Sequence, residues 1–138
     1  MANLTITSTD VAGVRWEQSN AHSDVASEAI NAGQYARINE TTGKICLGNA
    51  TTATEVGKGG GIAIKTAAAG GALSVVRRGL VDVGTALTAL NYGDPVYLSD
   101  TDGTFATTAG TVSTVVGYVH PGSAENTRSK LLMLTINA

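Results

Sequence analysis

The chain has 138 residues, enough for one domain with a modest core or for one domain plus an arm. Charged residues make up 14%, below the roughly 25% usual in soluble domains, and 9 basic against 11 acidic residues leave a net charge of −2. The basic residues are scattered, with Arg77-Arg78 the only adjacent pair, so the basic stripe of a nucleic-acid binder is missing and no nucleic-acid partner is expected.

The opening Met1-Ala2-Asn3-Leu4-Thr5-Ile6 has no basic or apolar signal region. No stretch approaches 18 apolar residues, so no membrane partner is expected. Asn3, Asn39 and Asn49 open glycosylation sequons, read as chance matches in a Thr-rich chain without an export signal. Residues 1–28 hold one glycine, Gly13, and the only tryptophan, Trp16. Leu4, Ile6, Val11 and Val14 are spaced among polar residues, which predicts an extended arm or first strands. Asp24 is expected to cap one or two helical turns through Glu28.

An internal repeat follows. Ala29, Asn31, Gly33, Thr41 and Gly43 match Ala89, Asn91, Gly93, Thr101 and Gly103 at an offset of 60. Thr51, Thr54, Val56 and Gly57 match Thr111, Thr114, Val116 and Gly117 at the same offset. Residues 29–58 against 89–118 give nine identities in thirty positions, where about two would arise by chance in so Ala-, Thr- and Gly-rich a chain. Each copy reads as a turn at Asn-x-Gly, a short strand, a hairpin tip closed by glycine, a return strand, a Thr-rich link and further strands. Pro95, without an N–H, belongs at a strand start or an edge. By its setting Gly61 is a better partner of Gly117 than Gly57, through a four-residue slip in the glycine run 57–61. Apolar runs close the copies, Ala72–Val83 in the first and Leu131–Ile136 in the second.

No segment keeps a helical period. The expected fold is therefore all-β: a small barrel or sandwich of eight to ten short strands, with an internal two-fold repeat and an extended N-terminal segment. The expected division is 1–28 and 29–138, the latter built from repeats at about 29–83 and 89–138.

The candidate chemistry reads as structure. Gly57-Lys58-Gly59-Gly60-Gly61 lacks the spacing and the helix of a phosphate loop and reads as a flexible connector. Asp100-Thr101-Asp102-Gly103 opens like a calcium loop, but position twelve is Thr111, so a hairpin tip is expected. His22 and His120 sit apart, without the clustered ligands of a zinc site. The single Cys46, in an apolar run, reads as a buried inert thiol in a chain made in a reducing cytosol. No Gly-x-Ser-x-Gly elbow is present. The expectation is a non-enzyme without catalytic, cofactor or metal residues.

Tyr35 and Tyr97 lie in the first strand of each copy and are expected to face opposite sides. Together with Trp16, Tyr92 and Tyr118 they serve core or interface packing, or a stacking platform for sugars or bases.

Residues 86–103, including Gly93-Asp94-Pro95-Val96-Tyr97, resemble the capsid decoration, or cement, proteins of tailed bacteriophages. Gly79-Leu80-Val81 and Val115-Val116-Gly117-Tyr118-Val119 carry the same resemblance, which spans roughly residues 29–138. It implies a structural protein, made in the host cytoplasm, that sits as a homotrimer on the outer surface of the virion head and bridges major capsid proteins. It supplies no catalytic residues. Residues 1–16 are then an arm that adds to a partner's sheet, with Leu4, Ile6, Val14 and Trp16 as apolar anchors at the capsid or subunit interface. The alternative for this segment is the first strand of the domain's own sheet. The alternative function is a virion-displayed carbohydrate-binding or host-adhesion module, which calls for a row of exposed aromatics on one sheet face.

Overall fold

A computed structural model of the chain describes residues 3–14, 21–121 and 130–135. Over these residues the protein is all-β, with eleven strands where eight to ten were expected. They are β1 (Val11–Val14), β2 (Ala21–Val25), β3 (Tyr35–Ile38), β4 (Ile45–Leu47), β5 (Lys58–Ala63) and β6 (Ala72–Val76). Then come β7 (Gly79–Val83), β8 (Pro95–Leu98), β9 (Phe105–Ala106), β10 (Val115–Pro121) and β11 (Lys130–Leu134). One helical turn, α1 (Ala53–Val56), interrupts the first Thr-rich link, and its first turn is capped by Thr52, whose side chain accepts from the Glu55 N–H.

The strands form two antiparallel sheets. One has six strands in the order β1-β7-β11-β10-β8-β9, the other five in the order β2-β6-β5-β3-β4. With β1 set aside, both sheets have one plan: the first strand of a unit lies beside its fifth, then the fourth, the second and the third. Residues 21–76 and 79–134 are thus two copies of one five-stranded unit. The run Ala72–Val83 does not close one unit; it gives β6 to one sheet and β7 to the other, with Arg77-Arg78 as the joint.

The register fixes how the copies correspond. Gly61 lies opposite Ala36 and Gly117 opposite Val96, each next to a bulge. The hairpins therefore match at an offset of 60, and β5 and β10 at 56, because 117 − 61 = 56. Both glycines are demanded by the neighbouring strand: a Cβ would run into the carbonyl oxygen of Val76 in one copy and of Met133 in the other.

Two local expectations are corrected. Lys58–Gly60 is part of β5 and not a flexible connector. Gly48 and Gly60 flank the Tyr35 ring, and a Cβ on either would collide with it. The ring fills that slot, and its hydroxyl donates to the Val56 carbonyl at 2.7 Å. Asp24 does not cap a helix; it lies in β2, opposite Leu73. Residues 26–28 run beside β4 instead, where the Ser27 N–H donates to the Ile45 carbonyl and Glu28 accepts from the Leu47 N–H. These pairings take the groups a helical turn would have used.

The sheets enclose one main core. Tyr35, Ile62 and Val76 from one sheet meet Val96, Leu98, Phe105, Val116, Val119 and Leu132 from the other. Tyr35 and Phe105 pack edge to face with centroids 6.1 Å apart. The five-stranded sheet is also covered on its far side, where Ala36, Ala63 and Val75 pack with Ile30, Ile45 and Leu73. Neighbouring residues such as Tyr35 and Ala36 therefore point into different cores.

The N-terminal segment touches both ends of the six-stranded sheet. Asn3 bridges to Ala106 on β9, and β1 pairs with β7 from Val11 opposite Val83 to Val14 opposite Leu80. The path from one edge to the other nearly closes that sheet.

Candidate functional site

The six-stranded sheet has one face in the core and one turned outward. On β8, Val96 and Leu98 are core residues, so alternation turns Pro95 and Tyr97 outward. On β10, Val116 and Val119 point inward, and the bulge leaves both Val115 and Tyr118 outside. On β11, Leu132 and Leu134 are core residues and Met133 is half-buried on the outer side.

The register lines these residues up. Tyr97 is opposite Val115, and a second row runs Pro95, Tyr118, Met133 across β8, β10 and β11 and ends at the buried Leu80 on β7. Val115 is 49% exposed and Tyr118 37%, large values for apolar residues at the centre of a sheet. The Asn91–Gly93 turn adds Tyr92, 52% exposed. The turn is tied to β10 by Gly93 N–H to the Val119 carbonyl at 2.8 Å and Val119 N–H to the Asp94 carbonyl at 2.9 Å.

Polar groups rim the patch. Lys130 Nζ lies 5.4 Å from the Tyr92 ring centroid and donates to the carbonyls of Thr88 and Leu90. The His120 ring lies 6.2 Å from that of Tyr118, and its Nδ1 is 2.8 Å from the Pro121 carbonyl oxygen. The arrangement offers apolar and aromatic contact with a thin polar rim, which suits docking to another surface.

Two of the expected interface residues, Leu4 and Ile6, lie away from this face. Leu4 and Ile6 are half-buried against the chain's own main core, and the Leu4 N–H donates to the Phe105 carbonyl at 2.8 Å. Ile6 packs on Gly33, whose missing Cβ makes room for it. Val14 pairs through its backbone with Leu80 on β7. Trp16 lies outside the described residues. Tyr35 and Tyr97 do point to opposite sides, Tyr35 into the core and Tyr97 outward. Nothing in the sequence singled out Val115 and Tyr118 as neighbours of Tyr97; the outward set follows from the bulge and the strand order.

The other candidate sites resolve into structure. The tip at Asp100-Thr101-Asp102-Gly103 spends its polar groups internally. Asp100 accepts from the Thr111 N–H and hydroxyl at 2.8 Å each, and Asp102 accepts from Asn49 Nδ2 at 2.7 Å. Among the described residues no group of three His, Cys, Asp or Glu is placed to hold a metal ion. Cys46 is buried, and burial pushes its thiol pKa up, away from reactive thiolate. A cleft of about 410 Å³ runs between the N-terminal segment, the Asn31–Gln34 turn and Gly103–Phe105, and among the described residues no titratable side chain lines it. No protein-family model, no curated protein and no solved structure matches this chain.

Proposed function

We propose that the chain is a structural virion protein that binds the outside of a phage head and stabilises the lattice by bridging major capsid proteins, as a homotrimer. One observation carries this reading. The separate segments behind the resemblance fall on β7, β8 and β10, all strands of the six-stranded sheet. The outer side of that sheet bears the exposed Val115 and Tyr118, with Tyr92 at its margin. A broad apolar face on a doubly packed β scaffold suits a rigid clamp, because little order has to be created on docking.

The test is sedimentation of the purified protein with expanded and unexpanded heads. Saturable binding to expanded heads is expected. Val115→Glu and Tyr118→Glu should each weaken it by about tenfold or more, since each buries a charge at the contact. No binding to any head, together with a monomeric mass, ends the reading.

A second reading is favoured by the same tyrosines. Tyr97 and Tyr118 on one face, with Tyr92 nearby, form a small aromatic platform of the kind that stacks on sugar rings. In that case the chain is a virion-displayed carbohydrate-binding or host-adhesion module. Retention of a defined glycan, lost in Tyr118→Ala, would favour it over head binding.

A further inference from the structure

Each five-stranded unit has two edges, and three of the four are covered by the chain itself. Asn3 and Leu4 cover β9, residues 26–28 cover β4, and β1 covers β7. The edge of the first unit that corresponds to β7 is the outer side of β2. No described residue pairs with it. The reason is the joint. Only Arg77 and Arg78 separate the two units, so no chain is left there to do for β2 what β1 does for β7.

We infer that the β2 edge is a self-association surface, on which β2 of one copy pairs antiparallel with β2 of a second copy, centred on Ser23. The sequence Ala21-His22-Ser23-Asp24-Val25 is complementary to itself in that register. His22 falls opposite Asp24 of the second copy, twice by symmetry, and Ala21 falls opposite Val25. Each crossing thus sets a basic residue type against an acid, and Val25, 46% exposed in the single chain, gains an apolar neighbour. Asp24 is already positioned: its carboxylate lies 3.6 Å from Arg77, whose Nε donates to the Gly59 carbonyl at 2.8 Å. β1, whose outer edge is also uncovered by described residues, reads Val-Ala-Gly-Val and offers no such pairing of charges. The contact is isologous and joins two five-stranded sheets into one ten-stranded sheet. It is a two-fold contact separate from the three-fold contact of the proposed trimer, leaves the outward face of the six-stranded sheet free and does not depend on the head-binding reading.

Directed cross-linking tests the register in the full chain carrying Cys46→Ala. Residues facing each other across an antiparallel pair have Cα atoms about 4.5–5.5 Å apart, within disulfide range. Under mild oxidation Ser23→Cys should give a disulfide-linked dimer of twice the chain mass. Ala21→Cys alone should not, whereas a mixture of Ala21→Cys and Val25→Cys should. A folded Ser23→Cys chain that stays unlinked, or an Ala21→Cys chain that links equally well, overturns the inference. A second measurement uses sedimentation equilibrium. His22→Glu places a second carboxylate opposite Asp24 and should weaken self-association by about tenfold. Mixing it with Asp24→Lys should restore a mixed dimer, and association untouched by His22→Glu overturns the proposal.

Discussion

The hairpin tips at 39–44 and 99–104 share their local chemistry and differ in their surroundings. In each, the first residue's N–H bonds across the tip, Asn39 to the Lys44 carbonyl and Ser99 to that of Thr104. In each, its side chain accepts from the N–H two residues on, Asn39 from Thr41 and Ser99 from Thr101. Gly43 and Gly103 both take positive φ, 73° and 65°. Yet the first tip stands in solvent, while the second is pressed onto the opposite unit. Gly103 accepts from the Tyr35 N–H and donates to the Gly48 carbonyl, and Asn49 reaches Asp102. The same turn serves as a free end in one copy and as a bolt between sheets in the other. Duplication supplied the shape, and its neighbours decided its role.

The contrast can be broken most directly at Phe105, the first residue after the docked tip. Phe105→Ala should cost about 4 kcal/mol in urea unfolding, because it empties a site between the sheets and removes the edge contact with Tyr35. A cost below about 1 kcal/mol would mean that the core does not hold the second hairpin.

Next come the two tip glycines. Gly103→Ala combines positive φ with a Cβ only 2.9 Å from Leu47 Cδ2, and should cost about 2–3 kcal/mol. Gly43→Ala has the same backbone demand but open space around the new methyl, and should cost about 1 kcal/mol. Equal costs would erase the distinction between the tips.

Tyr35, whose backbone receives the docked tip, gives a pH test. Burial pushes its hydroxyl up to about 12, with Arg37 pulling weakly the other way. In the unfolded chain the group ionises near 10. Below pH 10 it contributes no pH dependence. Between 10 and 12 the unfolded chain loses its proton first, so stability falls as pH rises, by on the order of 2 kcal/mol across the window. Unfolding midpoints at pH 8, 10 and 11.5 should decline only above 10, and Tyr35→Phe should flatten the decline.

The smallest effect belongs to Asn49→Ala. It removes an exposed bond to Asp102 and should cost about 0.5–1 kcal/mol by urea unfolding. Thr41→Ala on the free tip should change stability by less than about 0.5 kcal/mol.

Much of the fold was legible because turn chemistry is local. Asn31-x-Gly33 and Asn91-x-Gly93 announce the same turn, and in both the third residue after the asparagine accepts from its N–H, through Gln34 and Asp94. The site was less legible. Tyr118 shows its outward position only once the bulge between Val115 and Gly117 is placed, and a bulge reverses the side assigned by simple alternation. The N-terminal apolar residues invited a docking role, and Leu4 and Ile6 lie on the chain's own core, since an alternating apolar segment fits any open sheet edge, its own included.

By itself the sequence determined an all-β chain, a duplicated unit, the glycine-closed hairpins and the register slip that equates Gly61 with Gly117. All of these rest on backbone preferences or spacings carried within a few residues. Only the tertiary structure decided that 72–83 is divided between two sheets, that the glycine run is a strand cut to seat Tyr35, and that one hairpin tip docks on the opposite unit while its twin stands free. Those outcomes depend on contacts between residues far apart in the chain, whose energies no local pattern records.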